Sequence, residues 1–162
     1  MTQQNDVRIV LFGAGSVSFG LSTLGDILTK GEDSLAGSTI VIHDINEQAL
    51  NRMYGAVKKT LDEVSQDFET PPFKLEKTLD PVEALKGANY NIVSIENGPR
   101  IEQWMQDYYI PRKYGSKQIF GENGGPGGAF HSWRQIPPML KIARIMEDVR
   151  PDAWLMNFSN QM

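Results

Sequence analysis

Short apolar runs alternate along this chain with stretches in which apolar residues recur every three or four positions. The runs Val7 to Phe12, Thr39 to Asp44, Phe73 to Thr78, Tyr90 to Ile95 and Pro151 to Phe158 have the length and branched content of strands. Between them, helical spacing starts at about Ser18 and ends at Lys30, with Phe19, Leu21, Leu24, Ile27 and Leu28 on one face. It returns after Asn46 (Leu50, Met53, Tyr54, Val57, Leu61, Val64), over Pro81 to Lys86 before Gly87, and over Pro137 to Val149. In that last helix Met139, Leu140, Ile142, Ala143, Ile145 and Met146 are expected to face inward, and Gly31 to Ser38 reads as a polar loop. Strands alternating with helices predict right-handed crossovers, hence an α/β fold. Its sheet is parallel, carries helices on both faces, and ends after the fifth or sixth strand.

The change of period at Gly13-Ala14-Gly15-Ser16 marks a strand-turn-helix corner. Glycines there let a ligand approach the backbone, and the helix that follows offers unpaired N–H groups and a positive dipole end to an anion. Such a corner suits a dinucleotide pyrophosphate and makes the fold Rossmann-like, although any α/β protein can use a tight turn here. Asp44, at the end of the second strand, strengthens the dinucleotide reading: a carboxylate there accepts ribose hydroxyls and repels a 2′-phosphate, favouring NAD over NADP. Asp44 could also simply cap the next helix. Two features depart from the usual fingerprint. Ser18 stands where a third glycine is expected, with Gly20 following, and Asp44 lies 29 residues beyond Gly15 instead of about 20. The Gly31–Gly37 insertion accounts for the longer count. Ligands in parallel sheets gather at strand carboxyl ends, so the candidate cofactor contacts are Gly13, Gly15, Ser16, Val17, Phe19, Asp44, Glu96 and Asn97.

A second dense feature is Gly121-Glu122-Asn123-Gly124-Gly125-Pro126-Gly127-Gly128, preceded by Tyr109-Ile110-Pro111-Arg112-Lys113-Tyr114-Gly115. Four glycines and a proline in five positions predict a loop. Glu122 and Asn123 are its polar residues, with His131, Trp133 and Arg134 close behind. Glu122 could orient a base or serve as a helix cap; His131 reads as a structural hydrogen-bonding residue in preference to a metal ligand.

Composition narrows the classes. The 162 residues suffice for one compact domain. A net charge of -4 without a basic patch argues against nucleic-acid or anionic-membrane partners, and the absence of cysteine removes disulfides and thiolate ligands. No apolar run has the length of a signal or membrane segment, so a cytoplasmic protein is expected.

Taken together, Gly13-Ala14-Gly15-Ser16, Ile110 to Gly115, Gly121 to Gly128 and Pro151-Asp152-Ala153-Trp154-Leu155-Met156-Asn157-Phe158-Ser159-Asn160 resemble glycoside hydrolase family 4, the NAD- and manganese-dependent glycosidases. The resemblance runs in order over nearly the whole chain. It implies a small-molecule glycoside substrate, homo-oligomeric full-length members, and cleavage by oxidation at C3, elimination and re-reduction instead of the two-carboxylate scheme. Under it Glu122 matches an acid that acts on the catalytic tyrosine, and Asn123 and Asn160 are substrate contacts. Trp104 stands where the 6-phospho members keep a basic residue, although Arg100 is nearby, which points to a non-phosphorylated α-glycoside or uronide; the indole could stack on a sugar or pack in the core. The family's Mn2+ ligands, general acid and catalytic tyrosine are expected beyond residue 162, so residues 1–162 are expected to be an NAD-binding domain, inactive alone. Gln161 replaces the proline of the family's Asn-Pro motif. The alternatives are a lactate/malate-type dehydrogenase domain, whose loop arginine and later histidine motif find no clear match, and a catalytically silent dinucleotide-binding module.

Overall fold

In a computed structural model the described residues are 6–16, 19–67, 72–119 and 124–159. The elements in chain order are β1 (Arg8–Phe12), α1 (Phe19–Lys30), α2 (Glu32–Leu35), β2 (Thr39–His43), α3 (Glu47–Val64), β3 (Lys74–Thr78), α4 (Pro81–Leu85), β4 (Tyr90–Val93), α5 (Arg100–Lys113), α6 (Gly125–Val149) and β5 (Trp154–Asn157). Two compact units divide them: Met1–Ser94 with Ile145–Asn157, and Ile95–Arg144 with Phe158–Met162.

The first unit holds a five-stranded, wholly parallel sheet in the order β3-β2-β1-β4-β5. The order reverses beside β1, as expected of a doubly wound sheet. Strands β1 and β2 lie inside the sheet and are buried on both sides, with apolar residues from Ile9 to Phe12 and from Ile40 to Ile42, as central parallel strands require. The edge strand β3 carries Lys74, Glu76 and Lys77, charges that discourage further pairing.

One face of the sheet, with Leu11, Ile40 and Ile42, packs on Leu24 and Leu28 of α1 and on Leu50, Met53, Val57 and Leu61 of α3. Those α3 residues recur at the expected helical spacing, and Asn46 caps the helix by accepting from the Ala49 N–H at 3.0 Å. On the other face, the crossover from β3 back to β4 brings α4 with its buried Ala84 and Leu85. The last turn of α6 joins it there: Asn91 of β4 donates to Met146 Sδ at 3.6 Å. Helices thus cover both faces, as the alternation predicts. The loop expected at Gly31 to Ser38 contains the short helix α2, which turns Leu35 towards the core.

The second unit differs more from expectation. The segment around Pro111 is the end of α5, a helix without a strong apolar stripe to reveal it. Gly125 to Gly128, expected as a loop, form the first turn of α6. A proline in a first helical turn forfeits no hydrogen bond, because the N–H groups there have no partner within the helix. Buried Gly127 and Gly128 bring the helix close to its neighbours, and Gln118 Oε1 accepts from the Gly127 N–H at 3.2 Å. The inward face of α6 is Gly127, Gly128, His131, Gln135 and Ile142, whereas Leu140, expected inside, is exposed. Two of the buried positions are polar, so hydropathy alone places the apolar face out of phase.

Helix-interior prolines leave the carbonyl four residues back without its N–H partner. In this unit two of those carbonyls are met by side-chain amides. Gln118 Nε2 donates to the Asp107 carbonyl opposite Pro111 at 2.7 Å, and Asn97 Nδ2 donates to the Arg134 carbonyl opposite Pro138 at 3.0 Å.

Candidate functional site

The corner after β1 is held by the end of β2. The N–H groups of Gly13 and Ala14 both donate to the His43 carbonyl, at 3.0 and 3.1 Å, and Gly13 has φ 79°, a conformation that glycine adopts freely. The Asp44 carboxylate then accepts from the Gly15 N–H through Oδ2 and from the Asn46 N–H through Oδ1, both at 2.8 Å. A Cβ on Gly15 would lie 2.7 Å from both Asp44 Oδ2 and the Ala49 methyl. The corner closes on α1 through Ser16, whose carbonyl accepts from the Gly20 N–H at 2.9 Å and whose Oγ accepts from the Phe19 N–H at 3.4 Å. Gly20 takes up the close-packing role expected of a third glycine: a Cβ there would meet the Ala14 carbonyl oxygen at 2.5 Å.

Asp44 is half-buried, and its backbone bonds use only two of roughly four acceptor positions on a carboxylate. The group is fixed in direction and retains capacity for ligand hydroxyls. Beneath it His43 is buried, its ring 4.8 Å from that of Phe12, with neither nitrogen at hydrogen-bond geometry to any of the described residues. Burial pushes this imidazole below its ordinary pKa, against the opposing pull of the Leu79 backbone, Asp44 and Asp80.

In the second unit, Glu96 and Asn97 share the buried side chain of Gln135, which the sequence does not single out. Gln135 Oε1 accepts from the Asn97 N–H at 2.9 Å, and its Nε2 donates to Glu96 Oε1 at 2.6 Å. His131 is buried beside them with Nδ1 3.9 Å from the same carboxylate oxygen. Among the described residues neither of its ring nitrogens meets a hydrogen-bond partner, in contrast to the hydrogen-bonding histidine expected. The Arg100 guanidinium covers one face of Trp104 at 4.1 Å, so that face is filled from within the chain. Val17, Glu122, Asn123, Asn160 and Gln161 lie outside the described residues.

Among the described residues no group of three His, Asp or Glu side chains could hold a metal ion, and no helix is long and apolar enough to cross a membrane.

The sequence pattern of the family described as family 4 glycosyl hydrolase matches residues 8–162. The chain belongs to that family. It is 48% identical over 158 residues to an α-glucosidase of Erwinia rhapontici, covering 96% of this chain and 33% of the relative. An α-galactosidase of Bacillus subtilis strain 168 is 33% identical over 155 residues, with 96% and 34% covered. The chain therefore spans about a third of the length of these family 4 relatives. Among solved structures, a 6-phospho-α-glucosidase from gut microorganisms, in complex with NAD and Mn2+, matches with a TM-score of 0.79 and 22% identity over 96% of this chain and 33% of that one. A malate dehydrogenase of Picrophilus torridus matches with a TM-score of 0.61 and 10% identity, over 93% of this chain and 37% of that one; it shares the fold alone.

Proposed function

We propose that this chain is the NAD-binding portion of a family 4 glycosidase acting on a non-phosphorylated α-glycoside or uronide. The observation that carries the reading is the Asp44 carboxylate, held at the end of β2 by the Gly15 and Asn46 N–H groups. An anion fixed there accepts the two hydroxyls of an adenosine ribose and disfavours a 2′-phosphate. The N–H groups of Gly13 to Ser16 donate to His43, Asp44 and Gly13 itself, so the corner's part is to let the pyrophosphate come close to the amino end of α1. Glu96 and Asn97 are the contacts proposed for the second nucleotide.

When bound, NAD supplies reversible oxidation of a sugar carbon, which acidifies the neighbouring C–H and lets the glycosidic oxygen leave. The chain's own residues bind and orient the dinucleotide. Manganese, present in the structural relative, has no ligand set among the described residues, and no role here is assigned to it. Family membership and the α-glucosidase relative support the hydrolase reading; the choice of a substrate without a 6-phosphate follows Trp104 at the aligned position, with the Arg100 guanidinium beside it engaged by the indole ring. No particular feature favours a dehydrogenase.

Calorimetric titration tests the reading. Saturable binding of NAD+, with NADP+ at least tenfold weaker, is expected; absence of saturable NAD+ binding overturns it.

A further inference from the structure

Gln135 is fully buried on the inward face of α6, where a side-chain amide is tolerated only if its polar atoms are met. Its oxygen takes the Asn97 N–H and its nitrogen supplies a hydrogen bond to the Glu96 carboxylate. Asn97 is tied a second time, through its side chain, to the Arg134 carbonyl freed by Pro138. The segment directly after β4 is therefore anchored to one helix face at three points. The short 2.6 Å contact is charge-assisted and fixes the direction of the carboxylate.

We propose that Gln135 is a positioning residue that aims Glu96 as an acceptor for a vicinal diol. A carboxylate with fixed orientation suits two neighbouring hydroxyls, the same chemistry that Asp44 offers at the end of β2. Because β4 begins the second half of a doubly wound sheet, the diol belongs either to the second ribose of a dinucleotide or to the glycoside. The inference rests on the dinucleotide reading above and goes beyond it by separating the ligand contact, Glu96, from the group that orients it.

The test combines Gln135→Glu, Glu96→Gln and the double exchange, with thermal melting and calorimetry against NAD+, ADP, and methyl α-glucoside at saturating NAD+. Gln135→Glu keeps an acceptor for Asn97 but sets two carboxylates face to face. Two results support the inference. If the ribose is the ligand, each single variant loses about tenfold or more in NAD+ affinity, while ADP, which lacks the second ribose, binds as before. If the glycoside is the ligand, NAD+ and ADP binding hold and glycoside affinity falls by a similar factor. The double exchange restores a donor–acceptor pair with reversed polarity, so melting temperature returns while affinity does not, because position 96 no longer carries the charge. Affinity that returns together with stability means Gln135 is merely structural and overturns the inference, as does unchanged binding of all three ligands. Wild-type chain that binds neither NAD+ nor ADP overturns the dinucleotide reading as well.

Discussion

Arg134 grips the buried carboxylate of Asp107 with both terminal nitrogens, Nη1 to Oδ1 at 3.0 Å and Nη2 to Oδ2. Asp107 is only 4% exposed, so its charge depends on this one partner and on the groups packed around it. Replacing Arg134 by Met leaves a buried anion unpaired, at an expected cost of about 3 to 5 kcal/mol. Adding Asp107→Leu to Arg134→Met removes the anion too and should recover most of the loss. Urea unfolding of both variants checks this; a single variant as stable as wild type would show that the pair contributes nothing.

Two glycines in helices should respond in opposite directions to alanine. At Gly20 the added methyl would meet the Ala14 carbonyl oxygen at 2.5 Å, and overpacking of that kind costs about 1 to 3 kcal/mol. At Gly55, in the middle of α3, a Cβ meets nothing within 4 Å, and alanine should add about 0.5 to 1 kcal/mol through helix propensity. Thermal melts of the pair decide it, and NAD+ titration of Gly20→Ala reports whether the corner has moved.

His43 makes stability fall with acidification. Its folded pKa lies below the ordinary 6.5, so the unfolded chain binds the proton first. The contribution is therefore absent well above pH 6.5, grows as the pH drops below it, and stops growing below the folded value, with a slope of at most about 1.4 kcal/mol per pH unit for one proton. His43→Phe, which keeps an aromatic ring against Phe12, should flatten the stability profile between about pH 7 and 5. An unchanged slope would assign the effect to other groups.

Asp44→Asn has a chemical and a structural consequence. The amide has one oxygen for two backbone donors, Gly15 and Asn46, and no charge for the ribose. A charge-assisted hydrogen bond is worth about 1.5 to 3 kcal/mol, so NAD+ affinity should fall roughly ten- to a hundredfold. NADP+, no longer repelled, should fall less, and the ratio of the two dissociation constants should narrow.

Much of the first unit is legible in the sequence, since its strands and α3 obey simple periods and the glycine corner announces itself by the break between them. The second unit is legible only in part. The helix expected over Pro137 to Val149 is there as the second half of α6, but Pro111 inside α5 and the glycines that begin α6 argue against helix when read locally. What permits them is tertiary: Gln118 and Asn97 supply the missing donors at sequence separations of 11 and 37 residues. No local pattern signals such repairs. The buried positions His131 and Gln135 likewise defeat a hydropathy reading, because a polar residue is cheap to bury only when its partner is already known. The role of Gln135 could have been approached only through its four-residue spacing from His131, and that spacing is common.

The hydrogen bond between Gly15 and Asp44 also bears on how fingerprints should be counted. The chain travels 29 residues from one to the other, yet nitrogen and oxygen end 2.8 Å apart. The surplus residues, Gly31 to Gly37, are used between α1 and β2, where the path turns at the amino end of the sheet before running back along β2. In a parallel sheet a residue count between two binding positions measures a round trip through the opposite rim. Lengthening or trimming that far turn alters the mileage and leaves the destination where it was. Searches for such corners would do better to fix the two strand ends and let the interval float.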